Sequence, residues 1–405
     1  MLTTPPLSLY VHLPWCVRKC PYCDFNSHEG RGPLPFDAYV DALLADLDYD
    51  LPLVWGRTIH SVFFGGGTPS LFPPEFIDRF LQAASSRLRF APGCEITLET
   101  NPGTAEHGRF ELYRSAGVNR LSFGVQTFDD ETLKRLGRIH DSGEAEAAVK
   151  LAQDAGFDNF NLDLMYALPG QTLAMAERDL ERAFALDPTH VSHYQLTLEP
   201  NTVFAARPPR DIPDDDASWD MQEHCQAMLA QAGYAQYEVS AYARPGRQCL
   251  HNVNYWQYGD YLGIGAGAHG KITLGAEQDI LRRWKTRHPT RYLAAAGHAE
   301  AIGGDDRIAP ARRPFEYMLN ALRLVDGFAL DAFEARTGLP RTAIAPALEQ
   351  AQAQGWLSVH GDRVRPTELG RRFTNDVIEL FLDEDTADGA KPAALPHEVA
   401  GYTVD

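Results

Sequence analysis

Six short runs rich in β-branched and aromatic residues, at 8–13, 59–64, 95–100, 120–125, 159–165 and 191–198, are separated by stretches of helical pattern. Few folds accept that alternation. Parallel strands joined by helical crossovers build one sheet, and because such crossovers are right-handed the sheet wraps into a full or partial barrel. Barrel chemistry sits at the carboxyl ends of the strands, where nearly every unusual residue below falls. The Pro- and Asp-rich segment 207–216 reads as a loop that closes this region. Beyond it come a helix around 219–231 and the Gly-rich run 259–270, too flexible for an ordinary element interior and suited to close backbone packing. From residue 314 the pattern becomes three helices (315–324, 331–337, 343–354), a short β-like pair at 357–364 and a last helix from Thr367, the order of a winged helix. The expected division is a barrel core at 1–206, a barrel extension at 207–310, a winged-helix-like domain at 311–383, and a disordered tail at 384–405, rich in Ala, Asp and Pro.

Charge narrows the partners. Lys plus Arg number 37 against 55 Asp plus Glu, a net charge of -18 that repels phosphate backbones and anionic lipid. The winged-helix pattern would ordinarily suggest DNA, yet residues 311–382 hold nine Arg, no Lys and nine Asp or Glu, which leaves no basic face. A structural or substrate-covering role is expected there instead, with no nucleic acid as partner. The amino terminus has neither a basic start nor an apolar core, and no stretch is long and apolar enough to span a bilayer, so the expected compartment is the cytoplasm, with no transmembrane segment. Three of the six cysteines fall between Cys16 and Cys23, while Cys94, Cys225 and Cys249 are scattered. That usage suits a metal site in a reducing compartment.

Cys16-Val-Arg-Lys-Cys20-Pro-Tyr-Cys23 puts three thiolates on one loop just after the first strand. Three ligands leave one iron of a [4Fe–4S] cube without a protein ligand, free to chelate the amino and carboxylate groups of S-adenosylmethionine and pass an electron to its sulfonium. The alternative is a zinc loop, which would need a fourth ligand. The spacing, with Tyr22 before the last cysteine, resembles the hallmark of the radical S-adenosylmethionine (SAM) superfamily, and Gly65-Gly-Gly-Thr-Pro-Ser70 follows the second strand where that superfamily carries its glycine motif. The resemblance implies a partial (β/α)6 radical SAM barrel followed by a smaller, mainly helical, winged-helix-like domain.

Further motifs, Tyr10-Val-His-Leu-Pro, Leu98-Glu-Thr-Asn-Pro102, Asn119 to Phe128, Arg135-Leu-Gly-Arg138 and Asn161 to Gly170, resemble the family of oxygen-independent coproporphyrinogen III oxidase and its relatives. By position they imply SAM contacts at Tyr10, Gly66, Gly67, Thr68, Glu99, Gln126, Arg138 and Asp163. Glu99 and Asp163 can accept hydrogen bonds from ribose hydroxyls or an amino group, and Arg138 can hold a carboxylate bidentately. Each could equally cap a helix or satisfy a turn, and His12 reads as an internal anchor. The oxidase carries an amino-terminal extension and an extra cysteine beyond its triad; here strand one begins near Ser8 and Cys23 is followed by Asp24-Phe25-Asn26. Cys249-Leu-His251-Asn252-Val-Asn-Tyr255-Trp256 instead resembles the His-Asn-x-x-Tyr-Trp motif of the HemW-type haem chaperone branch.

That branch implies haem as a further ligand, with His251 the first choice for its iron, His193 and His269 as other candidates, and Cys249, Tyr255 and Trp256 beside it. In the plain alternative, these aromatics are packing and His251 an anchor. Two readings follow: a haem chaperone serving haem-accepting proteins, respiratory enzymes among them, or an oxidase decarboxylating the propionates of coproporphyrinogen III. An electron donor for the cluster is implied, a homodimer stays open, and no catalytic residue is singled out.

Overall fold

The computed structural model describes residues 1–103 and 109–382, so the tail expected at 384–405 lies outside the described residues. The six β-rich runs are strands β1 (Leu7–Leu13), β2 (Thr58–Gly66), β3 (Arg89–Thr100), β4 (Arg120–Gln126), β5 (Phe160–Tyr166) and β6 (His190–Gln195). They pair in that order, all in parallel. Helices Phe36–Asp50, Pro74–Ser85, Phe110–Ser115, Ser142–Asp154 and Leu173–Ala185 fill the crossovers. Local chemistry fixes where they start: Asp141 and Glu144 close a capping box at the entry to Ser142–Asp154, satisfying two backbone donors that the helix itself leaves unpaired.

Side chains alternate across a strand, and here the two faces differ in kind. Leu9, Val11 and Leu13 on β1, Val62 and Phe64 on β2, Leu121 and Phe123 on β4 and Leu162 and Leu164 on β5 join Leu43, Phe80 and Leu180 of the helices in the main core. The residues between them are largely polar and still buried: Ser8, His12, Ser61, Glu95, Thr97, Arg120, Ser122, Asn161, His190 and Ser192. Such groups require hydrogen-bond partners inside the fold.

Further strands extend the sheet to twelve among the described residues, in the order β12-β11-β10-β9-β1-β2-β3-β4-β5-β6-β8-β7. The two-strand end is β8 (Ala241–Ala243), antiparallel to β6, and β7 (Ala235–Gln236), antiparallel to β8. On the other side β9 (Asp260–Ile264) runs parallel to β1 and is followed by the antiparallel β10 (His269–Leu274), β11 (Asp279–Lys285) and β12 (Ile302–Arg307). The Gly-rich run 259–270 therefore differs from the expectation that it was too flexible for an element: it forms β9 and opens β10. The expected close packing is present, because a Cβ on Gly263 would collide with the His269 carbonyl and one on Gly265, at φ +106°, with that of His12. Asp260 ties this edge down, accepting from Arg57 Nη1 (2.7 Å), Lys271 Nζ (2.9 Å), Thr273 N (2.8 Å) and Thr273 Oγ1 (2.9 Å).

Helices Arg313–Ala321, Leu330–Thr337 and Ala345–Ala353 and a small sheet of Phe328–Ala329, Arg363–Pro366 and Leu357–His360 give the helices and wing expected from the sequence. They share a second core around Tyr317, Met318, Phe333, Leu348 and Val364. The single last helix expected from Thr367 is instead two, Glu368–Arg372 and Thr374–Glu379, interrupted at Phe373 with φ -116° and ψ 37°. Replacing Asp260 by Ala leaves the buried Lys271 ammonium without its carboxylate, and chemical denaturation is expected to show a loss of about 3–5 kcal/mol in unfolding free energy.

Candidate functional site

Immediately after β1, the two-residue strands Trp15–Cys16 and His28–Glu29 pair in parallel and close the intervening chain into a loop. Cys16, Cys20 and Cys23 all sit on this loop as free thiols. Backbone contacts fix it to the barrel: Gly67 N donates to Leu13 O and Thr68 N to Trp15 O, both at 2.8 Å. His12 adds a side-chain tie, with Nδ1 3.1 Å from the Tyr10 hydroxyl and Nε2 3.0 Å from the Asn26 carbonyl oxygen. Asn26 in turn donates to the carbonyls of Ala266 (2.8 Å) and Arg287 (2.9 Å). Burial lowers the His12 pKa to about 4, which keeps the ring a neutral hydrogen-bonding bridge. The glycines make the approach sterically feasible. A Cβ on Gly66, at φ +117°, would lie 2.7 Å from the His12 ring, and one on Gly67 would lie 2.6 Å from the Trp15 carbonyl oxygen.

The loop borders an open cavity lined by the three cysteines and by residues from the ends of β2 to β6. Gly66, Gly67, Thr68, Glu99, Gln126, Arg138 and Asp163 all line it; Tyr10 does not, being packed on Phe63 with 6.3 Å between ring centroids. Glu99 accepts from Gly66 N at 3.2 Å. Burial, with the Asp163 charge adding to it, raises the Glu99 pKa to about 8. Asp163 is also raised by burial, although Asn161 Nδ2 donates to it at 2.7 Å. Two enclosed acids make this wall receptive to a cation. Gln126 ends β4 at φ +72°, a conformation uncommon outside glycine, and accepts from the Tyr194 hydroxyl at 2.8 Å. Arg138 donates to Gly124 O (2.6 Å) and to Asn101 Oδ1, and its Nη1 lies 3.6 Å from Cys20 Sγ.

Burial raises the Cys16 pKa and pushes Cys23 up to about 12, so these thiols ionise only when a metal takes the place of their protons. Among the described residues no three His, Cys, Asp or Glu side chains gather around one point as a single ion would need. All three thiols line the cavity.

A second group of candidates lies on the helix Leu250–Trp256. His251 is only 1% exposed and does not line the cavity. Its Nδ1 is 3.2 Å from Ser61 Oγ, which donates its own proton to Ser8 Oγ at 2.7 Å, and its ring centroid is 5.0 Å from that of Phe63. The His251 backbone N (3.2 Å) and Cys249 Sγ (3.6 Å) both donate to Glu95 Oε1. Burial, then the Arg120 charge, lower the His251 pKa to about 3, and burial pushes the Cys249 thiol up to about 12. The imidazole is therefore neutral and the thiol protonated. Trp256 lies under the Arg323 guanidinium at 5.2 Å, and Tyr255 packs against Trp256 and Tyr261. His193 stacks on Tyr166 at 4.9 Å and His269 on Trp284 at 6.2 Å, and neither lines the cavity.

A chain of hydrogen bonds connects the two regions. From Asp163 it passes to Asn161, then His190 (2.7 Å) and the Tyr237 hydroxyl (2.9 Å), which accepts from Cys249 N at 3.4 Å. Sequence reasoning singled out neither these links nor Ser61, Glu95 and Arg120. Their only signal is the recurrence of polar residues at every second position of strands whose other face is apolar.

The radical SAM superfamily model matches residues 10–183, and that of the HemN C-terminal domain matches residues 308–373. Heme chaperone HemW of Escherichia coli is 51% identical over 389 residues, covering 95% of this chain and 100% of that protein. The chain belongs to the HemW family. Heme chaperone HemW of Haemophilus influenzae is 49% identical over 94% of this chain and 99% of its own, and that of Bacillus subtilis 31% identical over 93% and 99%. Among solved structures, coproporphyrinogen III oxidase (HemN) from Escherichia coli, a radical SAM enzyme, superposes with a TM-score of 0.78 at 25% identity, covering 93% of this chain and 90% of that one. The HemW-family chain thus places β1 to β5 and the cysteine loop in its radical SAM region and the helices and wing in a HemN C-terminal domain. The superfamily implies a [4Fe–4S] cluster and SAM, and three free thiols beside a cavity with two enclosed acids fit that pair. Gly67→Ala is expected to displace the cysteine loop from Trp15; anaerobic reconstitution followed by visible absorption should show the cluster band lost or reduced several-fold, with β-sheet content by circular dichroism retained.

Proposed function

We propose that this HemW-family chain carries a [4Fe–4S] cluster on Cys16, Cys20 and Cys23, takes SAM in the adjoining cavity, and binds haem through His251 for delivery to haem-requiring proteins. The observation that carries the reading is the 51% identity to Escherichia coli heme chaperone HemW along that protein's whole length. In this reading residues 1–206 form the cluster-bearing core, 207–310 contribute His251, and 311–383 are the C-terminal domain, whose Arg323 lies over Trp256 of the His251 helix. Bound SAM would supply, on one-electron reduction by the cluster, a source of the 5′-deoxyadenosyl radical. The chain's own residues divide the remaining tasks. Glu99 and Asp163 receive the ammonium and ribose hydroxyls, Gly66 and Gly67 present backbone without side-chain obstruction, and Thr68 and Gln126 complete the wall. Arg138 holds Cys20 against the β4 end, and Tyr10 acts at one remove by orienting His12.

Haem, acceptor proteins such as respiratory enzymes, an electron donor and a second copy of the chain are the partners this reading calls for, and the cytoplasm is its compartment. No helix among the described residues is long and apolar enough to cross a membrane. A second reading, oxidation of coproporphyrinogen III, is favoured by the likeness to the oxidase structure and by the complete cavity wall. It lacks the extra cysteine, since Asp24, Phe25 and Asn26 follow Cys23.

An anaerobic assay of the reconstituted protein with SAM and reductant, run in parallel on coproporphyrinogen III and on haem, separates the two. Stable haem binding without decarboxylated product is the expected result, with His251→Ala losing the wild-type Soret band; catalytic turnover to protoporphyrinogen would replace the chaperone reading with the oxidase one. The Glu99 carboxyl, at a pKa of about 8, is mostly protonated at neutral pH, whereas a cationic ligand favours its ionised form. SAM affinity should therefore rise with pH, by up to about tenfold per unit, and level off above about pH 8, with proton release on binding near neutrality. Calorimetry in two buffers of unlike ionisation enthalpy checks this, and Glu99→Gln should flatten the slope.

A further inference from the structure

A haem iron can be ligated only by an imidazole nitrogen it can reach, and His251 is closed off at 1% exposure beneath the rings of Phe63 and Tyr10. With the Ser61 proton directed to Ser8, Ser61 Oγ accepts from His251 Nδ1, so the tautomer leaves a lone pair on Nε2, and that atom has no partner. The ligating atom is ready but enclosed. We propose that the helix Leu250–Trp256 is a latch, docked in this structure and required to leave the barrel wall before His251 takes haem; the inference rests on the His251 reading above.

The docking is of a kind that can be undone. The helix has seven residues, and three of them bury a polar atom that finds no protein partner: His251 Nε2, Asn252 Oδ1 and Trp256 Nε1. Each disfavours the docked form and would gain a partner, water or haem iron, on release. Beside the ring packing of His251 on Phe63 and of Trp256 under Arg323, the ties that hold it are hydrogen bonds: His251 to Ser61, the Glu95 carboxylate to Cys249 and the His251 N–H, Cys249 N to the Tyr237 hydroxyl, and Asn254 Nδ2 to Ser8 Oγ at 3.0 Å and to the Asp260 carbonyl oxygen at 2.9 Å. The flank before the helix can absorb a rotation, with Gly246 at φ +74° and in open space.

A ligand that binds only the released form has its apparent affinity reduced by the docked fraction, so loosening a tie should tighten haem binding. Ser61→Ala removes the acceptor for Nδ1 only in the docked form, and haem titration of the full chain is expected to give a dissociation constant about fivefold lower than wild type. Asn254→Ala, at a partly exposed position, should act in the same direction and carries the test if Ser61→Ala fails to fold. In a docked site where Ser61 positions His251 for iron, both the sign and the conclusion reverse: weaker or unchanged haem binding by the folded variants overturns the latch. His251→Ala is titrated alongside. Retention of haem with an unaltered Soret band in that variant would refute the His251 reading itself, whereas loss of haem there with no tightening in the other two refutes the latch alone.

Discussion

Every second side chain along the six parallel strands is turned away from the helices, and most of these are polar groups with little access to water. A buried hydroxyl, amide or carboxylate without a partner costs about 1–3 kcal/mol, so a lining of this composition is stable only if its members find one another. They do so largely across strands, Ser8 with Ser61 and Asn161 with Ser122 and His190, while Asn161 also donates to Asp163 two residues along β5. The rest of the structure follows from where that matching ends. At the carboxyl ends of the strands Glu99 and Asp163 are left facing a cavity, and at the other limit of the network Tyr237 and Glu95 take their remaining partners from the segment Cys249–His251.

The cysteine loop obeys a separate constraint, that of close backbone approach. Its position comes from carbonyls of Leu13 and Trp15 meeting amides of Gly67 and Thr68, with His12 filling the space beside Gly66. The thiols are thus held by the ends of β1 and β2 and the two acids by β3 and β5 of the same sheet, so the spacing between thiols and acids is fixed by strand register. The turn after the helix Arg313–Ala321 contributes at a distance, through the Arg323 guanidinium over Trp256.

The parts legible in the sequence were those written in local patterns. Strand-helix alternation located all six barrel strands to within a few residues, though β3 begins well before the run at 95–100 because its first half pairs with β2 in a region of low hydrophobic contrast. The cysteine spacing and glycine triplet led to the cavity, since both lie within a few residues of strand ends. What could not be read was partnership between distant residues. Nothing near Arg138 announces that its fork goes to Gly124, Asn101 and Cys20, and nothing in the motif at His251 announces that the imidazole is enclosed. The Gly-rich run differs because glycine content signals freedom in an isolated chain, whereas here the absent Cβ atoms of Gly263 and Gly265 are spaces taken by neighbouring strands.

The neighbour of β1 on its open side is β9, which pairs Leu7 with Asp260 and Tyr10 with Gly263. On a ribosome β1 is made first and β9 only after all five other barrel strands have emerged. Until then one edge of the earliest strand, with its row of backbone donors and acceptors, stays uncovered, and an uncovered edge pairs readily with whatever strand is near. The molecule is therefore sealed from its late end: the Asp260 knot with Arg57, Lys271 and Thr273 acts as a closing stitch, and the order of synthesis makes the stretch after the sixth strand the one on which a newly made chain waits.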